Sequence, residues 1–331
     1  MEIQIQRVNS VQEKLSCLRL KYHVPNFFIV GAAKSGTTSL YHYLKQHPEI
    51  YMSPIKEPKY FSSSINRFPH RGPSDIEVDK TVIKSRGDYL RLFSSASVEK
   101  WLGDASADYL YFYEHVAPLI KRTSPEAKII VILRNPIERA FSAYCHLVKE
   151  GRETLSFEEA IGVEEERKRK NYEFIWFYKG VGFYYSQVEA YLNAFGEKNL
   201  KIYLYDDFKQ NPYKIIKDIF RFLEVDESFV PDINIKHNVS EVAKNKSLQE
   251  FLLGYDHPLK KLFRPVLLGT IGKENTERLV NYFKNKNLMK MKPKTRRYLA
   301  EIYREDILML QNLVKRDLSD WLECNSISSI E

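Results

Sequence analysis

The segment Gly31-Ala-Ala-Lys34-Ser35-Gly36-Thr37-Thr38 follows the apolar run Phe27–Val30 and leads into a helical pattern, Thr37–Gln46. A strand, a glycine-bearing turn and a helix in that order constrain the fold strongly. They predict a parallel α/β unit in which the helix packs back on a buried strand. They also make an anion cradle. Amides at a helix start point outward, and the macrodipole favours negative charge there. Glycine lets the backbone approach a ligand without a Cβ in the way. Lys34 adds a cation, and Thr37 and Thr38 add hydroxyl donors. The turn departs from the nucleoside triphosphatase pattern G-x-x-x-x-G-K-[ST], because Thr37 stands where that pattern has its lysine. A triphosphate with Mg²⁺ is therefore not the expected ligand, and no metal is expected in the site.

Two more strand–helix units follow. Lys128–Leu133 precedes a helix over Ile137–Lys149 with Pro136 in its first turn, and Leu200–Tyr205 precedes Asn211-Pro212 and a helix over Tyr213–Leu223. Three such units predict a three-layer α/β fold of the P-loop type, with a central parallel sheet flanked by helices. Right-handed crossovers would put the strand carboxyl ends along one edge, where open α/β sheets bind ligands. The stretch Ser53–Ala105 reads as loop-rich, and the charged run Glu164–Lys170 as a solvated helix face. A last helix is expected over about Thr295–Leu322, with Tyr298, Leu299, Ile302, Ile307, Leu310 and Leu313 as core positions. The domain expectation is an N-terminal extension over residues 1–24 and one α/β domain with loop-rich insertions over residues 25–325.

Composition narrows the partners. Lys+Arg is 51 against Asp+Glu 43, a formal charge of +8 that suits anionic ligands. Cys17, Cys145 and Cys324 are far apart, with no CxxC pair, which argues against a disulfide framework or a zinc site and fits a reducing compartment. No apolar run reaches the roughly 20 residues of a membrane span, and no signal-peptide core is present. The expectation is a cytoplasmic protein with no membrane span. Lys284–Arg297 holds seven Lys or Arg among fourteen residues and no acid. It lacks the interleaved aromatics of single-strand binders, so nucleic acid is not an expected partner.

The second unit ends in Arg134-Asn135-Pro136-Ile-Glu-Arg139-Ala-Phe-Ser142-Ala-Tyr144. Arg134 sits at a strand end, and Arg139 and Ser142, three apart, share a helix face; a guanidinium and a hydroxyl there suit a phosphate. F-I-V-G-A-A-K-S-G-T-T-S-L followed by I-L-R-N-P-I-E-R-A-F-S-A-Y resembles the sulfotransferases that use 3′-phosphoadenosine 5′-phosphosulfate (PAPS). The likeness is closer to the branch with heparan sulfate and bacterial members than to the steroid and phenol group. It spans about Phe27–Leu322 and includes Gly182-Phe-Tyr184, Tyr203-Leu-Tyr-Asp-Asp-Phe and Arg316-Asp-Leu-Ser-Asp-Trp321. The resemblance implies that Lys34, Ser35, Gly36, Thr37 and Thr38 hold the 5′-phosphosulfate. It implies that Arg134 and Ser142 hold the 3′-phosphate, and it adds Tyr184 to the donor contacts.

The acceptor hydroxyl of such a reaction needs a general base. Ser53-Pro-Ile-Lys56-Glu57-Pro58-Lys59-Tyr60-Phe61 resembles the family segment that carries it. The resemblance implies Glu57 as the base, with Lys34 also catalytic and Lys56 or Lys59 supporting the sulfuryl oxygens or orienting Glu57. Pro58 biases Glu57 toward an extended backbone. Members acting on glycosaminoglycans carry a lysine where this chain has Ala105, which leaves that role vacant or filled by Lys56. His237 is the rival base. The expected activity is sulfation of an acceptor hydroxyl on a small molecule, natural product, glycolipid or carrier-bound intermediate. A polysaccharide acceptor is the alternative, and a P-loop kinase or NTPase the competing class.

Overall fold

A computed structural model describes residues 24–234 and 291–323. Its centre is a five-stranded parallel sheet of β1 (Phe27–Gly31), β2 (Ile50–Met52), β3 (Trp101–Ala105), β4 (Lys128–Leu133) and β5 (Leu200–Leu204), in the order β2-β3-β1-β4-β5. Seven helices matter here: α1 (Thr37–Leu44), α2 (Tyr113–Thr123), α3 (Pro136–Lys149), α4 (Tyr185–Phe195), α5 (Tyr205–Gln210), α6 (Pro212–Phe222) and α7 (Pro293–Val314).

Alternation along the strands divides the core into two layers. Phe28, Val30, Ile129, Val131 and Leu133 face one cluster with Val116 and Ile120 of α2, Ile137 and Ala140 of α3, and Val188 and Tyr191 of α4. Phe27, Ile29, Ile130 and Ile132 face the other, with Leu40 of α1 and Ile216, Ile219 and Phe220 of α6. Strands covered on both faces are continuous apolar runs, which is why they stood out in the sequence. Each fully buried large aliphatic or aromatic side chain contributes about 1.5–3 kcal/mol. The expected three-layer fold is the one observed.

From β1 the chain runs outward to β2, returns to β3 beside β1, then crosses to β4 on β1's other side. The topological switch lies at the carboxyl end of β1, where a doubly wound sheet opens a crevice. Leu110, after β3, closes on that end: its amide donates to the Val30 carbonyl (2.8 Å), and a Cβ on Gly31 would lie 2.6 Å from Leu110 Cβ.

Several expectations are corrected. β2 lies just before the stretch read as loop-rich and β3 inside it, because Gly103 and Asp104 interrupt the apolar run Trp101-Leu102. The strand expected over Leu200–Tyr205 is β5 and ends at Leu204, and Tyr205 begins α5. Within Glu164–Lys170 the solvated-face reading fails for Glu164 and Arg167, which are buried. Glu164 accepts from the Lys179 and Gly180 amides, and Arg167 pairs with Glu153 at 2.7 Å. The last helix stops at Val314; Leu299, Ile307 and Leu310 are core, whereas Tyr298 is 51% exposed. No helix among the described residues is long and apolar enough to cross a membrane.

Candidate active site

The glycine loop closes the carboxyl end of β1 and hands over to α1. Gly36 is the N-cap residue, at φ 90°, and no side chain caps the helix. A Cβ at Gly36 would come within 3.2 Å of the Tyr205 ring and 3.3 Å of Phe208. Glycine is therefore required both by backbone sign and by the approach of α5. Thr37 is buried and Thr38 half-buried. Ser35 is fully buried, and its Oγ faces the Tyr184 hydroxyl without a close hydrogen bond among the described residues. Lys34 takes a left-handed φ of 68°. Burial lowers its ammonium pKa from 10.5 to about 8, with Arg134 and Lys149 pushing the same way against Glu150 and Glu57. A lysine so destabilised as a cation is poised to gain from an anion.

Arg134 leaves the end of β4 and reaches the same loop. Its Nη1 donates to the Lys34 carbonyl at 3.2 Å, and its guanidinium sits 4.9 Å from the Tyr205 ring centre. The end of β5 at Leu204 thus supplies an aromatic shelf for Arg134 in Tyr205. Burial lowers the Arg134 pKa. Arg139 and Ser142, nominated as a pair, have different surroundings. Arg139 is fully buried and donates to the Tyr178 carbonyl, whereas Ser142 is half-buried on α3. Tyr184 is fully buried at the start of α4, and Asp306 of α7 accepts from its amide at 2.8 Å. The electrostatic neighbours of its hydroxyl include Arg139, Arg134 and Asp306. Tyr184 therefore backs the loop from within.

Glu57 stands beside the carboxyl ends of β2 and β3, held by its amide to the Ala105 carbonyl at 3.0 Å. Its φ is 61°, so the extended backbone expected from Pro58 is replaced by a left-handed one. The side chain is 31% exposed and pairs with Lys56 Nζ at 2.5 Å. Burial pushes the carboxyl up, but the ammoniums of Lys56, Lys59 and Lys34 outweigh it and hold the pKa at about 2. Lys59 is not at the mouth. It is buried against Glu173 (2.8 Å) and over the Phe174 ring. Of the two lysines nominated to orient Glu57, Lys56 is the one that touches it. His237 lies outside the described residues, as does the first half of Lys284–Arg297. Of the latter, Lys292 pairs with Glu158 at 3.1 Å and Arg296 with Glu138.

Sequence reasoning missed His146. Its Nε2 lies 3.3 Å from Glu150 Oε1. Burial first, then Lys34, lowers its imidazole to about 4, with Glu150 and Glu57 opposing. A neutral imidazole thus shares the neighbourhood of Lys34 and Glu57. The available signal was spacing: Ser142, His146 and Glu150 recur every four residues along one face of α3. Among the described residues no group of three or more His, Cys, Asp or Glu is placed to hold a metal.

One edge of the sheet therefore carries a glycine cradle with a destabilised lysine, an arginine on an aromatic shelf, and an ionised glutamate ringed by lysines. The known proteins that match share this plan's family. The model of the sulfotransferase domain matches residues 24–264. A solved sulfotransferase from Alicyclobacillus acidocaldarius superposes with TM-score 0.73 at 36% identity, covering 91% of this chain and 100% of that one. Carbohydrate sulfotransferase 15 of Rattus norvegicus is 29% identical over 191 residues, 47% of this chain and 32% of the relative. A bifunctional heparan sulfate N-deacetylase/N-sulfotransferase 4 of Mus musculus is 36% identical over 133 residues, 38% of this chain and 13% of the relative. The chain thus matches a third or less of these two curated relatives' length. With the family model over most of the chain and a solved member matched along its whole length, this protein belongs to the sulfotransferase family.

Proposed function

We propose that the protein transfers a sulfuryl group from PAPS to a hydroxyl of a carbohydrate-containing acceptor. The single observation that carries the donor reading is the convergence of the Lys34–Thr38 cradle and Arg134, joined at 3.2 Å between Arg134 Nη1 and the Lys34 carbonyl. The residues present fit such a donor. The buried Ser35 Oγ, set beside the Tyr184 hydroxyl, and the uncapped start of α1 are groups that an anion would satisfy. Lys34, Ser35, Gly36, Thr37 and Thr38 would hold the 5′ end; Arg134 and Ser142 would hold the 3′-phosphate, with Tyr184 backing the loop. The curated relatives, a carbohydrate sulfotransferase and a heparan sulfate N-sulfotransferase, support a carbohydrate over other acceptors.

The donor supplies a sulfuryl group whose bridging oxygen departs with the 5′-phosphate. In the transfer, the acceptor oxygen forms a bond to sulfur as the bond from sulfur to the phosphate oxygen breaks. The bonding pair leaves on that oxygen, and the acceptor proton goes to Glu57. Lys34 and the α1 amides offset the charge that grows on the leaving phosphate. A carboxylate at about 2 is ionised but is a weak base. Its low value comes from lysine ammoniums that a bound phosphosulfate would partly neutralise, so donor binding raises the basicity of Glu57 when it is needed. His146, neutral in the same neighbourhood, joins His237 as a rival base to be tested. The test is transfer of ³⁵S from labelled PAPS to oligosaccharide acceptors, with non-carbohydrate alcohols as controls. Transfer to sugars alone supports the reading; transfer only to phenols or other simple alcohols overturns the acceptor, and no transfer with any acceptor overturns the donor.

A further inference from the structure

Asp104, the fourth residue of β3, is a carboxylate with 0% exposure and no ion-pair partner among the described residues. A buried lone carboxylate is costly unless it is fully hydrogen-bonded. Three hydroxyls surround it. Tyr89 OH and Tyr109 OH donate to Oδ2 at 2.7 and 2.9 Å, and Ser106 Oγ donates to Oδ1 at 2.8 Å. A hydroxyl has one proton to give, so these three can act toward anything else only as acceptors. Two of them do so, and both toward the same turn. Ser106 Oγ accepts from the Lys59 amide at 3.1 Å, and Tyr109 OH accepts from the Phe61 amide at 3.3 Å. Tyr89 stacks on Tyr60, with ring centres 4.2 Å apart.

That turn is the one carrying Glu57. Two of its residues, Glu57 and Lys59, hold φ of 61° and 52° without being glycine. Such conformations persist only where the surroundings over-determine them. The Glu57 amide donates one hydrogen bond directly to the Ala105 carbonyl, the Pro58 carbonyl accepts from the Ile83 amide at 2.9 Å and Lys59 Nζ pairs with Glu173; the Lys59 and Phe61 amides are held by the hydroxyls that Asp104 orients.

We propose that Asp104 is a positioning residue, which through Ser106 and Tyr109 holds the Glu57–Phe61 turn against the sheet and fixes the aim of the Glu57 carboxylate. The proposal rests on Glu57 being the base. Its chemistry depends on the carboxylate being acceptor-only. Asparagine has the same shape, but its Nδ2 would donate toward one hydroxyl, which must then turn its own proton to the turn amides. Burial pushes the Asp104 carboxyl up to about 6, with the three hydroxyl bonds opposing, so near pH 8 the ionised form is present.

The experiment measures kcat, KM for the acceptor and affinity for adenosine 3′,5′-bisphosphate near pH 8. The variants are Asp104→Asn and Ser106→Ala, each made in the wild-type and Glu57→Gln proteins. A displacement of the base by about 1 Å is worth roughly 10²-fold. Asp104→Asn is expected to lower kcat on that scale, with acceptor KM and bisphosphate affinity unchanged. In the Glu57→Gln protein the same change is expected to have no further effect. A wild-type kcat in Asp104→Asn, or an equal further loss in the Glu57→Gln background, overturns the proposal. Should Asp104→Asn fail to fold, Ser106→Ala decides, because it keeps Asp104 and its two tyrosine bonds and removes only the hydroxyl that joins Asp104 to the Lys59 amide; a wild-type kcat there overturns the proposal equally. A Glu57→Gln protein of wild-type rate overturns the base assignment itself, a result distinct from non-additivity between the two sites.

Discussion

The depressed pKa of Lys34 makes donor affinity depend on pH in a calculable way. In the free protein, burial brings the ammonium to about 8 from an ordinary 10.5. A phosphate or sulfate group beside it stabilises the charged form, so the complex titrates higher. Affinity that depends on the charge is then fully present below pH 8, and it falls once the free protein loses the proton. If the complex returns Lys34 to its ordinary value, affinity drops about tenfold per pH unit, or roughly 300-fold between pH 8 and 10.5. Phosphate itself titrates near 6, below this window. The neighbouring Cys145 thiol lies above it, pushed by burial to about 11. Isothermal calorimetry with adenosine 3′,5′-bisphosphate from pH 7 to 10 reads the slope, and proton uptake appears as a buffer-dependent heat. Lys34→Met is expected to bind more weakly at pH 7 and to lose the slope. Affinity independent of pH in the wild type, or a slope that survives in Lys34→Met, refutes the placement of Lys34 on the anion.

Further expectations come from the same geometry. Glu57→Gln should lower kcat by about 10²–10⁴ while bisphosphate affinity stays near wild type in calorimetry, and a dead His146→Ala protein beside an active Glu57→Gln protein would move the base to His146. Gly36→Ala, strained at φ 90° and crowded by Tyr205 and Phe208, should cost about 1–2 kcal/mol of stability in thermal melts and weaken bisphosphate binding. Adenosine 5′-phosphosulfate, lacking the 3′-phosphate, should be a poor donor because Arg134 and Ser142 are left without their anion; equal kcat/KM for the two donors contradicts that clamp. With Thr37 in the lysine slot of the triphosphatase pattern, turnover should persist in excess EDTA, and activity lost to chelation and restored by Mg²⁺ would contradict it.

The parts of the fold legible in the sequence were those where one physical demand dominates. β1 and β4 are covered on both faces, so burial alone writes a nearly unbroken apolar run, and the edge strand β5 kept enough of the pattern in Leu200, Ile202, Tyr203 and Leu204. β3 is equally buried but was hidden. Its Gly103 makes room for Met52 and Phe27, a Cβ there lying 2.3 Å from Met52 Sδ, and its Asp104 is satisfied by hydroxyls distant in sequence. The same holds for Glu164 and Arg167, whose charges looked solvated because their partners, the Lys179 and Gly180 amides and Glu153, are remote along the chain. In the site, the glycine loop and Arg134 were readable because local order fixes them. The backbone at Glu57 was not, since Pro58 biases it one way and bonds to Ala105 and Ser106 fix the turn another. His146 was missed because its interest lies in sharing a helix face with Ser142, which only a register count along α3 brings out.

The most direct test compares two ligands by calorimetry: adenosine 3′,5′-bisphosphate and ATP with Mg²⁺. A cradle without the triphosphatase lysine, joined to Arg134 across the loop, predicts that the bisphosphate binds the wild-type protein more tightly. It also predicts that Arg134→Met loses most of that preference. Tighter binding of ATP with Mg²⁺, or a preference for the bisphosphate that is unchanged in Arg134→Met, would contradict the account.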